Sequence, residues 1–273
     1  MRNGLKLMAF AAGSVAAAAQ VSPARIPDAA ELLRDVRLHQ QQLDEIRENY
    51  TFHESERTDE LDRQGNTKKT ISSEREVFYV NGHQIRRFLK RNGVELNAGE
   101  RAREDERIRK LVEQGLKEPR PGGGNGRGGL ISPILAVCRL SNPRRIVLNG
   151  RDTWTFEFAG DPAAKSRGMV EDAAKKLSGT LWIDERDRQV AKISIRFDST
   201  FRVGGFLAAV QKGTNMTFEQ APVGDGLWLP VSSDQHLDVR VAVMSQRGDI
   251  HLRNSGFRRF DVNAVQQIAP PGH

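Results

Sequence analysis

The chain has 273 residues, 38% hydrophobic and 28% charged, and its 42 lysines and arginines outnumber its 35 acids to give a net charge of +7. That is enough chain for one large domain with a real core beneath a very polar surface, and it excludes a protein that crosses a membrane many times with helices. Cys138 is the single cysteine, which excludes an intrachain disulfide and, at the end of the apolar run ISPILAVC, marks a small core residue rather than a nucleophile.

Arg2 and Lys6 precede LMAFAAGSVAAAA (residues 7–19), an uncharged apolar run in which Ala17 and Ala19 supply a small-x-small cleavage site before Gln20. Residues 1–19 therefore read as a secretory signal peptide. The run is too short for a membrane span of about 20 apolar residues. No cysteine follows it to carry a lipid, so the expected product is a soluble periplasmic or secreted protein. Loss of Arg2 and Lys6 leaves a net charge of +5. A basic surface in the cell envelope points to peripheral contact with anionic lipid and not to nucleic acid, although charges of both signs are interspersed and also suit plain solubility.

The mature chain opens with an amphipathic helix over 28–48, capped by Asp28, with Leu32, Leu33, Val36, Leu43 and Ile46 on its apolar side. NYTFHESERT then alternates as a strand. A long hairpin over 67–90 turns at Asn81-Gly82, a two-residue turn signal. The period changes over 95–117, where Ile108, Leu111, Val112 and Leu116 form a narrow stripe and pairs such as Glu106–Lys110, Asp105–Arg109 and Arg109–Glu113 stand at helical spacing. Glycines break the pattern over 118–129, and a short apolar segment ending at Cys138 is expected to dock as a helix.

From residue 144 the chain reads almost entirely as strand. Asn149-Gly150 repeats the turn signal, PAAKSRGMVEDAAKK is a helical excursion, and SGTLWIDERDRQVAKISIRF (178–197) is a hairpin with one dry face. Nine to eleven strands in all predict an α+β, mainly β protein built on a single large antiparallel sheet or barrel. No repeat or linker divides the chain. It reads as one domain over 20–262, with a helical and Gly-rich insertion at 95–143 and a tail at 263–273.

Catalytic patterns are weak. Gly124, Gly126 and Gly129 match a dinucleotide-loop spacing but lack the strand before and the helix after. His39, His53, His83, His236, His251 and His273 show no metal-ligand spacing. Ser232, Ser233, Asp234 and His236 are too close along one strand to converge as a triad. The Asn215 sequon matters only in a glycosylating pathway. The chain therefore reads as a non-enzyme without cofactor or metal. The strongest feature is the dry face: Trp154, Phe156, Phe158, Leu181, Ile183, Ile193, Ile195, Phe197, Phe218, Trp228, Leu237, Val239 and Val241. Either this face lines a cavity for an apolar ligand, or the helices over 28–48 and 130–138 cover it.

A leader, a helix running into NYTFHESE, the hairpin GTLWIDERDRQVAKISIRF and the later PVGDGLWLPVSSD together resemble the lipoprotein-carrier superfamily over residues 30–60 and 144–262. The resemblance implies an unclosed antiparallel barrel with helices across its concave face and an interior that holds acyl chains. It also implies a lipidated protein or amphiphilic lipid as partner, with an envelope protein partner as the alternative for a closed module of the same fold. Residues 95–143 have no counterpart, and the carrier's functional arginine is not carried over to Arg57. A buried CH₂ contributes about 0.8 kcal/mol, so one acyl chain offers on the order of 10 kcal/mol gross. Association costs of roughly 4–15 kcal/mol leave weak to moderate net binding, as release of cargo requires. N-terminal sequencing of the exported protein is expected to start at or near Gln20, and a soluble product retaining residues 1–19 would overturn the leader assignment.

Overall fold

The computed structural model describes residues 28–118, 131–204, 208–224, 226–242 and 244–259. The expected leader, the dinucleotide-like glycines and the tail lie outside the described residues. Helix α1 (Ala29–Ile46) begins where Asp28 Oδ1 accepts the Glu31 N–H at 3.0 Å. It buries Leu32, Val36 and Leu43 along one stripe, then passes through one tight turn, Arg47–Asn49, into the sheet.

The strands are β1 (Tyr50–Leu61), β2 (Thr67–Val80), β3 (His83–Arg91), β4 (Val94–Glu95), β5 (Cys138–Leu148), β6 (Arg151–Gly160), β7 (Leu177–Asp184), β8 (Val190–Phe197), β9 (Phe201–Val203), β10 (Ala208–Val210), β11 (Asn215–Pro222), β12 (Trp228–Val241) and β13 (Met244–Arg259). Helices α2 (Ala98–Lys117), α3 (Ile131–Ala136) and α4 (Met169–Ala174) interrupt them. The extra strands beyond the sequence expectation are the two- and three-residue β4, β9 and β10, too short to show alternation.

One antiparallel sheet runs in the order β4-β3-β2-β1-β13-β12-β11-β8-β7-β6-β5, with β9 and β10 extending as a flap from β12. Its two ends stay apart, so the sheet is not closed. The chain's first strand pairs with its last, Glu54 opposite Asn254 and Thr58 opposite Ile250, which stitches the two halves into one unit. Asn81-Gly82, Asn149-Gly150 and also Asn92-Gly93 carry positive φ at both positions, as two-residue hairpin turns require.

The core lies where α1, α3 and α4 cover β5–β8. Leu32 and Val36 of α1 and Ile131, Ile134 and Leu135 of α3 pack with Phe156, Leu181, Ile193 and Ile195 of the sheet. Helix α2 does not join this layer. It starts with a reciprocal cap, Asn97 and Glu100 exchanging side-chain-to-backbone bonds of 2.9 Å, and lies along the outer edge of β3. There Glu104 Oε1 accepts the Phe88 N–H at 2.8 Å and Arg107 donates to the Arg86 carbonyl at 2.6 Å. Beyond the two residues of β4 that edge would otherwise offer unpaired backbone groups, and α2 blunts it. Within α2, Ile108 is buried but Leu116 is exposed. Arg109 pairs with Glu106 and Glu113, not with Asp105, because i to i+3 and i+4 partners on both sides already occupy its guanidinium.

Gly179, within the quoted hairpin, faces this core. A Cβ there would stand 1.8 Å from the Ser194 carbonyl oxygen and 2.8 Å from the Phe158 ring. Backbone cannot yield as a flexible side chain does. Gly179→Ala is therefore expected to cost at least as much as Phe156→Ala, about 3–5 kcal/mol, in urea unfolding, and an alanine variant of wild-type stability would refute this packing.

Candidate functional site

The structure divides the predicted apolar face. Trp154, Phe156, Phe158, Leu181, Ile183, Ile193, Ile195 and Phe197 enter one closed cluster beneath α1 and α3, with Phe218 at its margin. Trp228 joins a second cluster with Leu43 and Ala191. Leu237 and Val239 are half-buried, and Val241 emerges at a hairpin end, 49% exposed. Strict alternation along β12 places these three on one face but does not bring them under the helices, because α1 meets β11 and β12 only near Gln220 and Trp228, at the other end of β12.

The two motifs that carry the family resemblance meet in space. The β7–β8 turn of WIDERDR places Asp184, which is 1% exposed, against Arg151: Nε to Oδ2 is 2.5 Å and Nη2 to Oδ1 is 3.0 Å. The same guanidinium reaches Asp187 at 2.6 Å, and Asp187 accepts the Trp228 indole N–H at 3.1 Å. Trp228 is the tryptophan of GLWLP, and Arg151 lies 5.3 Å from its ring centre. Arg188 follows at φ 53°, stacks on Trp154 at 4.8 Å, and accepts on its carbonyl from His39 of α1. Both motifs thus lock the turn, the second cluster and α1 together. Burial works to raise the Asp184 pKa, but hydrogen bonds from Arg151 and from the Asp187 and Arg186 amides prevail and hold it below the ordinary carboxylate value.

Beside the closed core the sheet leaves a groove of about 190 Å³, lined by side chains from β1, β2, β3, β11, β12 and β13 and by Arg47 of the turn. Five strand-to-strand steps separate β3 from β11. A flat sheet would hold them about 24 Å apart at ~4.8 Å per step. Gln84 and Arg86 of β3 share the groove with Phe218 of β11, so the sheet curls here. Tyr50, Phe52, Tyr79, Leu229, Leu252 and Phe257 supply most of its apolar wall. Phe52 and Phe257 pack at 5.4 Å between ring centres.

One wall of the groove is ionic. Glu54, 3% exposed, accepts from Arg75 at 3.0 Å and Arg86 at 3.2 Å, and Arg75 also holds Glu56 at 2.8 Å. Burial opposes the Arg75 charge, yet the bonds to Glu56 and Glu54 outweigh it and raise its pKa above the ordinary arginine value. Burial likewise pushes the Tyr79 phenol up, against the pull of Arg47 and Arg86. The arrangement suits an apolar group with a polar end. Among the described residues that line it, no nucleophile is paired with a base.

Of the predicted residues only Phe218 lines this groove. Phe257 escapes an alternation reading because β13 carries one extra residue between Ser255 and Arg258, with Gly256 at φ 63°, and the bulge turns Phe257 onto the face of Leu252 and Asn254. Tyr50, Phe52 and Tyr79 alternate visibly in sequence, but nothing local tells that β1 and β2 curl toward β11. The other candidates take structural places. His236 and His251 sit on the outer face, each 2.7 Å from an aspartate, Asp249 and Asp234 respectively. Ser232 bonds Glu219 at 3.4 Å, so the serines do not meet His236. Cys138 is half-buried at the core margin, and burial pushes its thiol up to about 12. No metal-binding group of side chains occurs among the described residues, and no helix among them is long and apolar enough to cross a membrane.

An open antiparallel sheet with helices across half of one face is the architecture the sequence resemblance implied. The chain is similar to a putative outer membrane lipoprotein-sorting protein domain from Vibrio parahaemolyticus, at 12% identity and a TM-score of 0.40, over 88% of this chain and 98% of that one. It is also similar to a DUF1329 family protein from Desulfovibrio piger, at 12% identity and 0.38 over 86% and 95%, and to MucB in its complex with MucA(peri), at 11% identity and 0.22 over 86% and 100%. No family model and no curated protein matches the chain.

The ionic lock generates a test. Breaking one partner of a buried pair costs roughly 3–5 kcal/mol, so Asp184→Asn should lower urea stability by that order at pH 7. Because the folded pKa of Asp184 lies below the unfolded value, its contribution is complete above about pH 4 and falls away as pH drops through the folded pKa. The gap between wild type and variant should therefore narrow below pH 4, and a gap constant from pH 7 to pH 2 would contradict the assignment.

Proposed function

We propose that the protein is an exported carrier or binding protein for an amphiphile, a lipidated protein segment or a single lipid. It takes an apolar group into the groove between β1–β3 and β11–β13 and performs no catalysis. The observation that carries this reading is the aromatic groove itself, open on the concave side with the buried Glu54–Arg75–Arg86 cluster at one wall. A volume of 190 Å³ compares with the roughly 150 Å³ apolar cavity that accepts benzene. It therefore accommodates a ring or a short stretch of acyl chain. The paired charges beside it suit a polar head. A longer chain would reach the Trp154–Ile195 face only by displacing α1.

The closed cluster beneath α1 favours a second reading, in which the protein is an envelope interaction module that docks partners on its exterior and holds nothing. Native mass spectrometry of protein purified from its own envelope separates the two, since co-purifying acyl species support the carrier. In vitro, Phe257→Gln removes an aromatic wall contributing about 1.5–3 kcal/mol when buried. It should weaken uptake of a fluorescent fatty acid or lipopeptide at least about tenfold, whereas Val147→Gln on the exposed face of β5 should leave uptake unchanged. Equal uptake by both variants, or none by wild type, would eliminate the groove as the cargo site.

A further inference from the structure

The hairpin joining β12 to β13 breaks the chain's own rule for tight turns. Three other two-residue turns use Asn-Gly at positive φ, but here Ala242 stands at φ 51° in a sequence, RVAVMSQ, without glycine, asparagine or aspartate. A left-handed alanine carries a steric strain that glycine avoids. The flanking pair is apolar and turned to solvent, Val241 at 49% and Met244 at 63% exposure. Strained backbone that displays apolar side chains is the reverse of what solubility favours, and such outliers accompany function.

The neighbouring flap explains what the tip faces. Val203, Ala208 and Val241 stand in register across β9, β10 and β12, and the next row, Arg202, Ala209 and Arg240, points to the opposite face. The apolar row continues the face on which Phe201 and Val210 pack against the core, so it forms the rim of the concave side. Arg202 and Arg240 are exposed and make no ion pair among the described residues. Asp238, the nearest carboxylate along β12, is occupied by Arg247, which also fastens the tip to the Arg63 carbonyl of the β1–β2 turn at 3.1 Å. Half-buried Val203 and Ala208 leading to exposed Val241 and Met244, backed by unpaired arginines, match an element lying in a bilayer interface, apolar side toward the acyl chains and cations at the head groups.

We infer that Arg202, Val203, Ala208, Arg240, Val241 and Met244, where β9, β10, β12 and β13 meet, form a docking surface for anionic lipid bilayers, which sets the rim of the concave face against the membrane. The inference stands apart from the cargo reading, and its test contains no cargo. The full mature chain is sedimented with vesicles of phosphatidylglycerol and phosphatidylethanolamine or of phosphatidylcholine alone, at low and high salt. Binding should require the anionic lipid and fall as salt screens it. Arg202→Gln with Arg240→Gln should weaken it about twenty-fivefold, near fivefold per arginine. Val241→Ser with Met244→Ser, both at exposed positions, should weaken it at least fivefold while leaving the urea midpoint in place. Leu116→Ser, an exposed apolar residue on α2, should bind as wild type. Absence of wild-type binding, equal binding to phosphatidylcholine, tip variants that bind normally, or an equal loss in Leu116→Ser would each overturn the inference.

Discussion

An open sheet of this size has to hide an apolar face without closing on itself, and the packing of α1 across β5–β8 is the interaction on which the remainder depends. Leu32 and Val36 meet Phe156, Leu181, Ile193 and Ile195 with essentially no exposure on either side. Burying such side chains contributes about 1.5–3 kcal/mol each, enough together to hold a helix that the turn over 47–49 ties directly to β1. Where the helix ends, the cover ends. The groove is the part of the concave side that α1 does not reach.

That limit gives the concave side two characters. The β5–β8 half is dry and closed. The β1–β3 half carries Glu54, Glu56, Arg75 and Arg86, charges that remain tolerable because each is paired. The groove lies on the boundary, with aromatic rings against buried ion pairs. A boundary of that kind is what a molecule with one oily and one charged end would occupy, and it is the reason the proposed cargo is an amphiphile and not a simple hydrocarbon.

The motifs behind the family resemblance act through architecture. Asp184 and Asp187 of the hairpin turn, Arg151 of β6 and Trp228 of β12 form one hydrogen-bonded lock, and Gly179 leaves room for the Phe158 ring against the Ser194 carbonyl. These residues have a mechanical role: they set how β7–β8 meets β12 and α1. The groove is lined by other residues of the same motifs, Tyr50, Phe52 and Glu54 of NYTFHESE and Leu229 and Pro230 of GLWLP.

By itself the sequence determined the local elements. Asp28 capped the first helix, Asn-Gly placed the hairpin turns, and alternation from Trp154 to Phe197 assigned the buried face, because caps, turns and period-two burial are settled within a few residues along the chain. It could not tell which parts of that face would be shared. Leu237, Val239 and Val241 alternate as well as Ile193 and Ile195 do, yet they lie beyond the reach of α1, and helix reach is a property of the assembled sheet. The groove was hidden for the same reason: its lining comes from strands up to five places apart, gathered by a curl that no local signal encodes, and Phe257 enters it through a single extra residue in β13. Only the tertiary structure decided these points, since curvature and cover arise from how the strands of the sheet and α1 fit together.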